Sequence, residues 1–300
     1  MAQVYVHPDA SSTVRPHLNS HLPSAIVVEH LLSNPPSQSS TFIASFPPSG
    51  HPLSPAPWSA AVVDLSRPNE TELWFWSSAE ESQGSEGEES DFRDASAHLL
   101  AVLTLMARMC PGKEKLKIGN LNSLFFPHIP PPSVLWVSEK YSKLVFYPST
   151  LPGPSESKRG TLAQYSFRKM DPVDLVHVVA STSIPRNVVT LAKASSTAAY
   201  PTGSSGPEQA HAWCFISTCG SVSSLYVQPE RRGEGLAKET MRREIEKGFA
   251  VQGRRFMCTE VGQENRASFA VCAALGAKKL WEVVWMEIRL DYYRVHSAAN

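Results

Sequence analysis

The stretch LYVQPERRGEGLAKETM, residues 225–241, joins an apolar segment to a helical one through a turn rich in glycine and arginine. Pro229 ends the strand-like part because proline cannot donate a ladder hydrogen bond. A helix start leaves backbone N–H groups unpaired and carries partial positive charge, and glycines let a ligand approach the backbone closely. Arg231 and Arg232 add positive charge at the same place. The stretch therefore predicts a binding site for a diphosphate or a similar anion.

Two features of this turn limit that interpretation. Glu234 lies between the two glycines, and the G-K-[ST] signature of a Walker loop is absent, which argues against a nucleotide-type phosphate loop. A lone G-x-G is also compatible with an ordinary strand-to-helix turn. Spacing alone leaves both interpretations open.

A second stretch, VGQENRASFAVCAALGAKK at residues 261–279, supports the first one. Together they resemble the acyl-CoA-binding motifs of the GNAT superfamily of N-acyltransferases, in which V-x-P-x-x-(Q/R)-x-x-G-x-(G/A) is followed by an Asn before a helix ending in Leu-Gly. The first motif is matched by Val227, Pro229, Arg232, Gly235 and Ala237, and the second by Asn265, Ser268, Leu275 and Gly276. The resemblance covers roughly residues 165–290. Within the superfamily, the chain looks most similar to the glycine N-acyltransferase-like branch, on Trp213, Gly220, Pro229, Glu230 and Arg232.

The resemblance implies acyl-CoA as cosubstrate, in the form of acetyl-CoA or another acyl-CoA, and no metal. Backbone amides of the loop would hold the CoA pyrophosphate, and the preceding strand would pair with the pantetheine arm. The residues that it assigns to cofactor binding are Tyr226, Val227, Arg231, Arg232, Gly233, Glu234, Gly235, Leu236, Ala237 and Asn265.

Acyl transfer to an amine requires a base for the amine, a donor for the carbonyl oxygen and a proton for the CoA thiolate. In this branch, the acidic residue that acts as the base is expected just after the hairpin glycine, where this chain has Ser221. Glu260 is therefore the candidate base, and Glu264 and His211 are weaker options. A backbone N–H near residues 226–228 is the candidate oxyanion donor. Cys272 occupies the place of the tyrosine that protonates the thiolate in many relatives; a packing role for it, with solvent as the proton donor, is the alternative.

Composition excludes several classes of protein. Lys+Arg and Asp+Glu both number 28 among 300 residues, whereas general nucleic-acid or membrane-surface binders carry a basic excess. Five scattered cysteines without C-x-x-C spacing favour reduced thiols and no zinc site. No apolar run is long enough to span a bilayer, and the N-terminus has no apolar signal core. We therefore expect a cytoplasmic protein with no nucleic-acid or membrane partner.

The predicted fold is α/β with a mixed sheet, in two domains. Residues 160–300 are predicted to form the GNAT domain, and residues 1–155 a smaller α/β domain, for which a degenerate GNAT-like half is one interpretation. The polar segment STLPGPSESKRG at residues 149–160 is the predicted boundary. The acidic, serine-rich segment at residues 77–94 is predicted to be a solvated, disordered insertion.

The leading hypothesis is a CoA-dependent N-acyltransferase, most simply an N-acetyltransferase, acting on a primary amine of a small molecule or amino acid by direct attack in a ternary complex. One alternative is a protein or peptide N-acetyltransferase. Another is a catalytically inactive regulatory module that binds CoA, since Tyr and Glu are missing at the expected places. The sequence does not predict the oligomeric state.

Overall fold

The structure is a computed structural model that describes residues 2–53, 55–67, 70–85, 87–182, 187–203 and 209–296. Strands and helices alternate through these ranges. The strands are β1 (Tyr5–Val6), β2 (Thr41–Ala44), β3 (Ser59–Val63), β4 (Leu73–Ser77), β5 (Lys115–Asn122), β6 (Val134–Val137), β7 (Tyr141–Phe146), β8 (Tyr165–Arg168), β9 (Ser196–Pro201), β10 (Ala212–Ile216), β11 (Ser221–Val227), β12 (Met257–Gly262) and β13 (Lys278–Arg289). The helices are α1 (Ala10–Thr13), α2 (Arg15–Leu18), α3 (Ile26–Ser33), α4 (Glu88–Met109), α5 (Arg159–Leu162), α6 (Leu175–Ala180), α7 (Val188–Lys193), α8 (Leu236–Ala250), α9 (Arg266–Ala274) and α10 (Leu290–His296).

The chain forms two compact units. Unit 1 comprises Met1–Tyr141 and Trp281–Asn300, and unit 2 comprises Ser142–Leu280. These limits differ from the predicted domains 1–155 and 160–300. The polar segment 149–160 looked like a linker in sequence, but it belongs to unit 2, where Thr150 Oγ1 donates a hydrogen bond to the Gly276 carbonyl at 3.3 Å. The last strand begins in unit 2 and continues in unit 1.

Each unit contains the same order of strands. In unit 1, β1 to β4 pair antiparallel in sequence order, and β5 pairs parallel to β4 after the chain has crossed through α4. In unit 2, β8 to β11 pair in the same way, and β12 pairs parallel to β11 after α8. Parallel neighbours cannot be joined by a tight turn, so a helix makes each crossing. This mixed α/β architecture confirms the predicted fold class.

Apolar side chains from the sheet and its helices form the buried core of each unit. In unit 1, α4 and α10 pack with β2 to β5 and β13 around the fully buried Phe125. In unit 2, Cys214, Ile216 and Val222 of β10 and β11 pack with Met241 and Ile245 of α8. Among the described helices, none is both long and apolar enough to cross a bilayer.

The acidic segment at residues 77–94 is ordered at the residues that the structure describes, so the prediction of a disordered insertion was wrong. Ser77 ends β4 and caps a short 3-10 turn in a reciprocal capping box with Glu80. From Glu88 onwards the segment forms the first turns of α4. Carboxylates at a helix N-terminus are stabilised by the helix dipole, so the acidic composition marks the start of a helix. Residue 86 lies outside the described residues.

A buried carboxylate fixes α8 to the sheet of unit 2. Glu244 is fully buried and accepts hydrogen bonds from Ser195 Oγ at 2.5 Å and from Thr197 Oγ1 at 2.6 Å. Lys247, one turn further along, pairs with it at 2.8 Å and also donates to the Ser196 carbonyl at 2.7 Å. A buried charge is tolerated when it is paired and fully hydrogen-bonded. This network sets the position of α8 against β9.

We expect Glu244→Ala to destabilise unit 2 by about 2 to 3 kcal/mol, because the substitution leaves buried donors and a lysine without their acceptor. Hydrogen–deuterium exchange of the α8 amides, resolved by mass spectrometry, measures this loss. Glu246→Ala on the same helix is the matched control: its carboxylate is 57% exposed and its pairing with Arg242 should contribute little. Equal protection in both variants would contradict the role assigned to Glu244.

Candidate active site

The strands β11 and β12 part after a short parallel ladder. Among the described residues, they pair at Ser221 with Cys258 and at Val222 with Thr259, and the register extends no further. On its other side, β11 shifts register against β10 between Trp213 and Phe215. Ser224 lies at this bulge with φ of 54°. The bulge bends β11 away from β12, so the half-buried residues 225–227 lie along one side of an open fork.

Two glycines shape the turn that follows β11. Gly233 and Gly235 have φ of 83° and 89°, which side chains with a Cβ rarely adopt. Gly235 is also the N-cap of α8, and no side chain caps this helix. The left-handed glycines therefore allow the chain to enter α8 directly from the turn.

Six consecutive amides at this turn find no acceptor among the residues that the structure describes. Among the described residues, the first amide of the helix that donates a backbone hydrogen bond is that of Glu239, to the Gly235 carbonyl at 3.1 Å. The amides of residues 233–238 precede it. Uncapped amides at a helix N-terminus and positive-φ glycines together make a concave site for an anion. This is the arrangement that the sequence predicted for a diphosphate.

Three basic side chains surround the turn. Arg231 and Arg232 are exposed, as their place in the motif predicts, and Arg232 Nε donates to the Val227 carbonyl at 3.4 Å. The third, Lys158, donates from Nζ to the Gly233 carbonyl at 3.0 Å, and its stem lies against Gly235. Sequence reasoning missed Lys158 because it belongs to the segment predicted to be a linker. The signal that could have indicated it is the pair of basic residues Lys158 and Arg159 within that segment.

Glu234 is the residue that seemed out of place in an anion site. Its carboxylate accepts a hydrogen bond from the Tyr165 hydroxyl at 2.8 Å and lies 3.7 Å from Arg231 Nη1. Burial, together with Glu234, raises the pKa of Tyr165, so the phenol stays a donor. His211 Nδ1 lies 3.3 Å from the same hydroxyl, and burial lowers the pKa of His211. Glu234 thus ties the turn to β8, and His211 belongs to this contact.

The apolar residues of the motif pack against the sheet of unit 2 and hold the turn in place. Leu236 is buried with Ala199 and Ala212, and Val227 packs against the same cluster. Tyr226 stacks on Trp213 with ring centroids 4.7 Å apart. Ala237 is half-buried at the start of the helix. The side chains of these residues therefore hold the backbone that carries the unpaired amides.

Asn265 and Cys272 lie on α9. The Asn265 side chain accepts from the Ser268 amide at 3.0 Å, so it caps α9. Cys272 is buried in the apolar cluster that includes Met241 and Leu275, and burial raises the pKa of its thiol to about 12. Both contacts are local to α9 and the core. Glu264 is exposed just before this helix.

Glu260 lies at the fork between β11 and β12. It is the first residue after Thr259, the last residue of β12 that pairs with β11, and its Oε1 accepts a hydrogen bond from Ser221 Oγ at 3.0 Å. Ser221 is the position at which an acid was expected from the sequence. The structure therefore brings the candidate carboxylate of one strand to that position on the neighbouring strand.

The equivalent turn of unit 1, between β4 and α4, has the opposite electrostatic character. Glu80 Oε1 accepts from the Ser77 amide at 3.1 Å, and the Glu88 carboxylate accepts from the Gly84 amide. Glu89 and Asp91 add negative charge in the first turn of α4. The chain's own carboxylates occupy donors there and repel a phosphate. Of these two equivalent turns, the one in unit 2 therefore suits an anion better.

The thiols provide a direct test of burial in unit 2. Burial raises the pKa of Cys258 and Cys272 to about 12 and that of Cys214 well above its usual value. Only a thiolate reacts rapidly with an alkylating reagent. At pH 8 in the folded protein, we expect these three thiols to resist iodoacetamide while Cys110 and Cys219, which are partly exposed, react. Peptide mass spectrometry before and after unfolding in urea gives the pattern; rapid native labelling of Cys272 would contradict its burial.

Comparisons with known proteins agree with this geometry. The sequence model of the acyl-CoA N-acyltransferase verG N-terminal domain matches residues 1–212, and that of the FR47-like proteins matches residues 203–286. A crystal structure of a Drosophila protein is 12% identical and superposes with a TM-score of 0.63, covering 95% of this chain and 98% of that one. A tandem GNAT protein from the clavulanic acid biosynthesis pathway is 14% identical with a TM-score of 0.50, covering 96% and 99%.

At such identities the two structures support the fold alone, with a GNAT-like half in front of a C-terminal GNAT half. No curated protein matches the sequence. The first family model, however, spans well over half of the chain. The chain therefore belongs to the acyl-CoA N-acyltransferase family defined by the verG N-terminal domain, within the GNAT superfamily.

Proposed function

We propose that this chain transfers a short acyl group, most simply acetyl, from acyl-CoA to the primary amine of a small molecule or amino acid. The observation that carries this proposal is the run of six unpaired amides at the start of α8, next to the fork between β11 and β12. Family membership supports CoA-dependent N-acyl transfer in general. The choice of acetyl and of a small acceptor, and the likeness to the glycine N-acyltransferase-like branch, stay predictions from the sequence.

The cofactor would be held mainly by backbone. The amides of residues 233–238 would bind the pyrophosphate, and Arg231, Arg232 and Lys158 would neutralise its charge. The pantetheine arm would lie along β11 at the fork, with Tyr226 and Val227 beside it. Asn265 would act indirectly, by capping α9.

The amine would attack the thioester carbonyl directly in a ternary complex. Glu260, at the fork, would accept the proton that the amine loses. The negative charge on the carbonyl oxygen needs a backbone donor. Of the candidate amides, that of Gln228 already donates to the His211 carbonyl at 2.9 Å. Because hydrogen-bonded pairs alternate along an antiparallel ladder, the Tyr226 amide also faces β10, opposite Trp213, so we assign this role to Val227.

The departing thiolate would take its proton from solvent. Cys272 was the candidate acid, but its thiol has a pKa of about 12 and is buried in an apolar cluster. Transfer from it to a CoA thiolate, whose conjugate thiol resembles cysteine with a pKa of about 8.5, would be unfavourable by several powers of ten. We therefore propose a packing role for Cys272.

Turnover separates the proposed enzyme from its alternatives. With acetyl-CoA and a panel of amino acids, small amines and lysine peptides, we expect thiol release with at least one free small amine. Free CoA is measured with a thiol reagent, and the acylated product by mass spectrometry. Turnover only with peptides would favour a protein N-acetyltransferase. Tight CoA binding without turnover on any amine would favour the regulatory module.

Substituting Gly235 tests the cofactor site. A valine there must adopt φ near 89° and places its Cβ 3.2 Å from Lys158 Cγ, so we expect the Kd for CoA to rise at least about tenfold. Calorimetric titration should give one CoA per wild-type chain, since the turn in unit 1 carries its own carboxylates.

Gly253→Val is the matched control. Gly253 also has a positive φ, 64°, but it lies after α8 with open space around its Cβ position. We expect this variant to be strained to a similar degree and to bind CoA normally. Unchanged CoA binding by Gly235→Val would overturn the assignment of the turn.

A further inference from the structure

The two faces of the unit 2 sheet differ in character around the fork. Val222, Met257 and Val261 pack with α8 residues on one face. Because side chains alternate along a strand, Ser221, Cys258 and Glu260 share the other face. The fork therefore carries a polar group on the face opposite α8.

The serine in this group contacts the sulfur atoms of two cysteines. Ser221 Oγ lies 3.3 Å from Cys258 Sγ, and the Cys219 thiol donates to it at 3.7 Å. Cys258 is fully buried, and burial raises the pKa of its thiol to about 12, so the thiol keeps its proton and serves as a donor. A hydroxyl that accepts from thiols has one hydrogen to give. Glu260 Oε1, at 3.0 Å, is the acceptor that takes it.

This contact restricts the glutamate. A glutamate side chain at a strand end has three rotatable bonds and samples many conformations unless a partner holds one of its oxygens. Ser221 is 1% exposed and lies on the neighbouring strand, so its hydroxyl is itself fixed. The serine thus keeps the carboxylate at the fork.

We propose that Ser221 is a positioning residue, which holds the Glu260 carboxylate at the fork and allows the catalytic acid of this chain to lie on β12 instead of β11. The proposal rests on the proposed function, in which Glu260 is the base. It has a further consequence. Because the two side chains meet, an acid placed at position 221 would reach the space that the Glu260 carboxylate occupies.

The single variants give the first test. We expect Glu260→Gln to lower kcat/KM about 10²- to 10⁴-fold, the usual contribution of a general base. Ser221→Ala should lower kcat about three- to thirtyfold with little change in the KM for acetyl-CoA, because the carboxylate loses the partner that restricts its conformations. Ser217→Ala removes a hydroxyl that contacts Cys219, so its kcat and KM should match the wild type.

The double variant Ser221→Glu/Glu260→Gln gives the second test. We expect it to recover at least about tenfold of the kcat/KM lost in Glu260→Gln, because the acid returns to the same space from the other strand. Calorimetric titration with CoA and far-UV circular dichroism check that each variant folds and keeps the cofactor site. A folded double variant that binds CoA but recovers no kcat/KM would overturn the inference that an acid at position 221 can replace the Glu260 carboxylate.

The failures of the two proposals are distinguishable. Full activity of Glu260→Gln, or no turnover of any amine by the wild type, would overturn the base assignment and the role of Ser221 with it. An inactive Glu260→Gln variant, combined with a Ser221→Ala variant that matches the wild type in kcat and KM, would overturn the role of Ser221 alone.

Discussion

The parallel pairing of β11 with β12 is the constraint on which the site depends. Parallel neighbours require a crossover, and in unit 2 that crossover is α8. The helix must begin immediately after β11, so its unpaired amides face the end of that strand. The bulge at Ser224 then separates the two strands just before this point. An anion site and an open strand edge therefore lie side by side as a consequence of topology.

The same topology occurs in unit 1 with the opposite charge. There the helix after β4 begins with carboxylates that accept hydrogen bonds from nearby amides, whereas the helix after β11 begins with glycine and exposed arginines. A helix N-terminus attracts an anion in both cases. In unit 1 that anion is the chain's own glutamate; in unit 2 the place is open to a ligand. Two copies of one architecture thus separate a structural role from the proposed binding role.

Much of the conformation of the glycine- and arginine-rich turn could be predicted from sequence, because it is local. Gly235 and Pro229 specify a turn whatever surrounds it, and the Arg pair lies in the same turn. The contact of Ser221 with Glu260 could not be predicted, because it depends on the register of two strands that are 39 residues apart in sequence. The position of Lys158 was not predicted, because the proline- and serine-rich composition of its segment is typical of a linker. The spacing of Ser77 and Glu80 is that of a capping box and indicated a helical turn in the acidic segment. The negative charge of the segment favoured disorder instead, and the prediction from charge was wrong.

The course of β13 has a consequence for how the chain acquires its structure. Unit 2 is an insertion within unit 1, whose last strand and helix come from residues 281–296. Val284, Met286 and Tyr293 from this segment are part of the core around α4. During synthesis, all elements of unit 2 leave the ribosome before that core can close. Unit 1 is therefore begun first and completed last, and a fragment ending at residue 141 exposes an apolar surface that only the far end of the chain can cover.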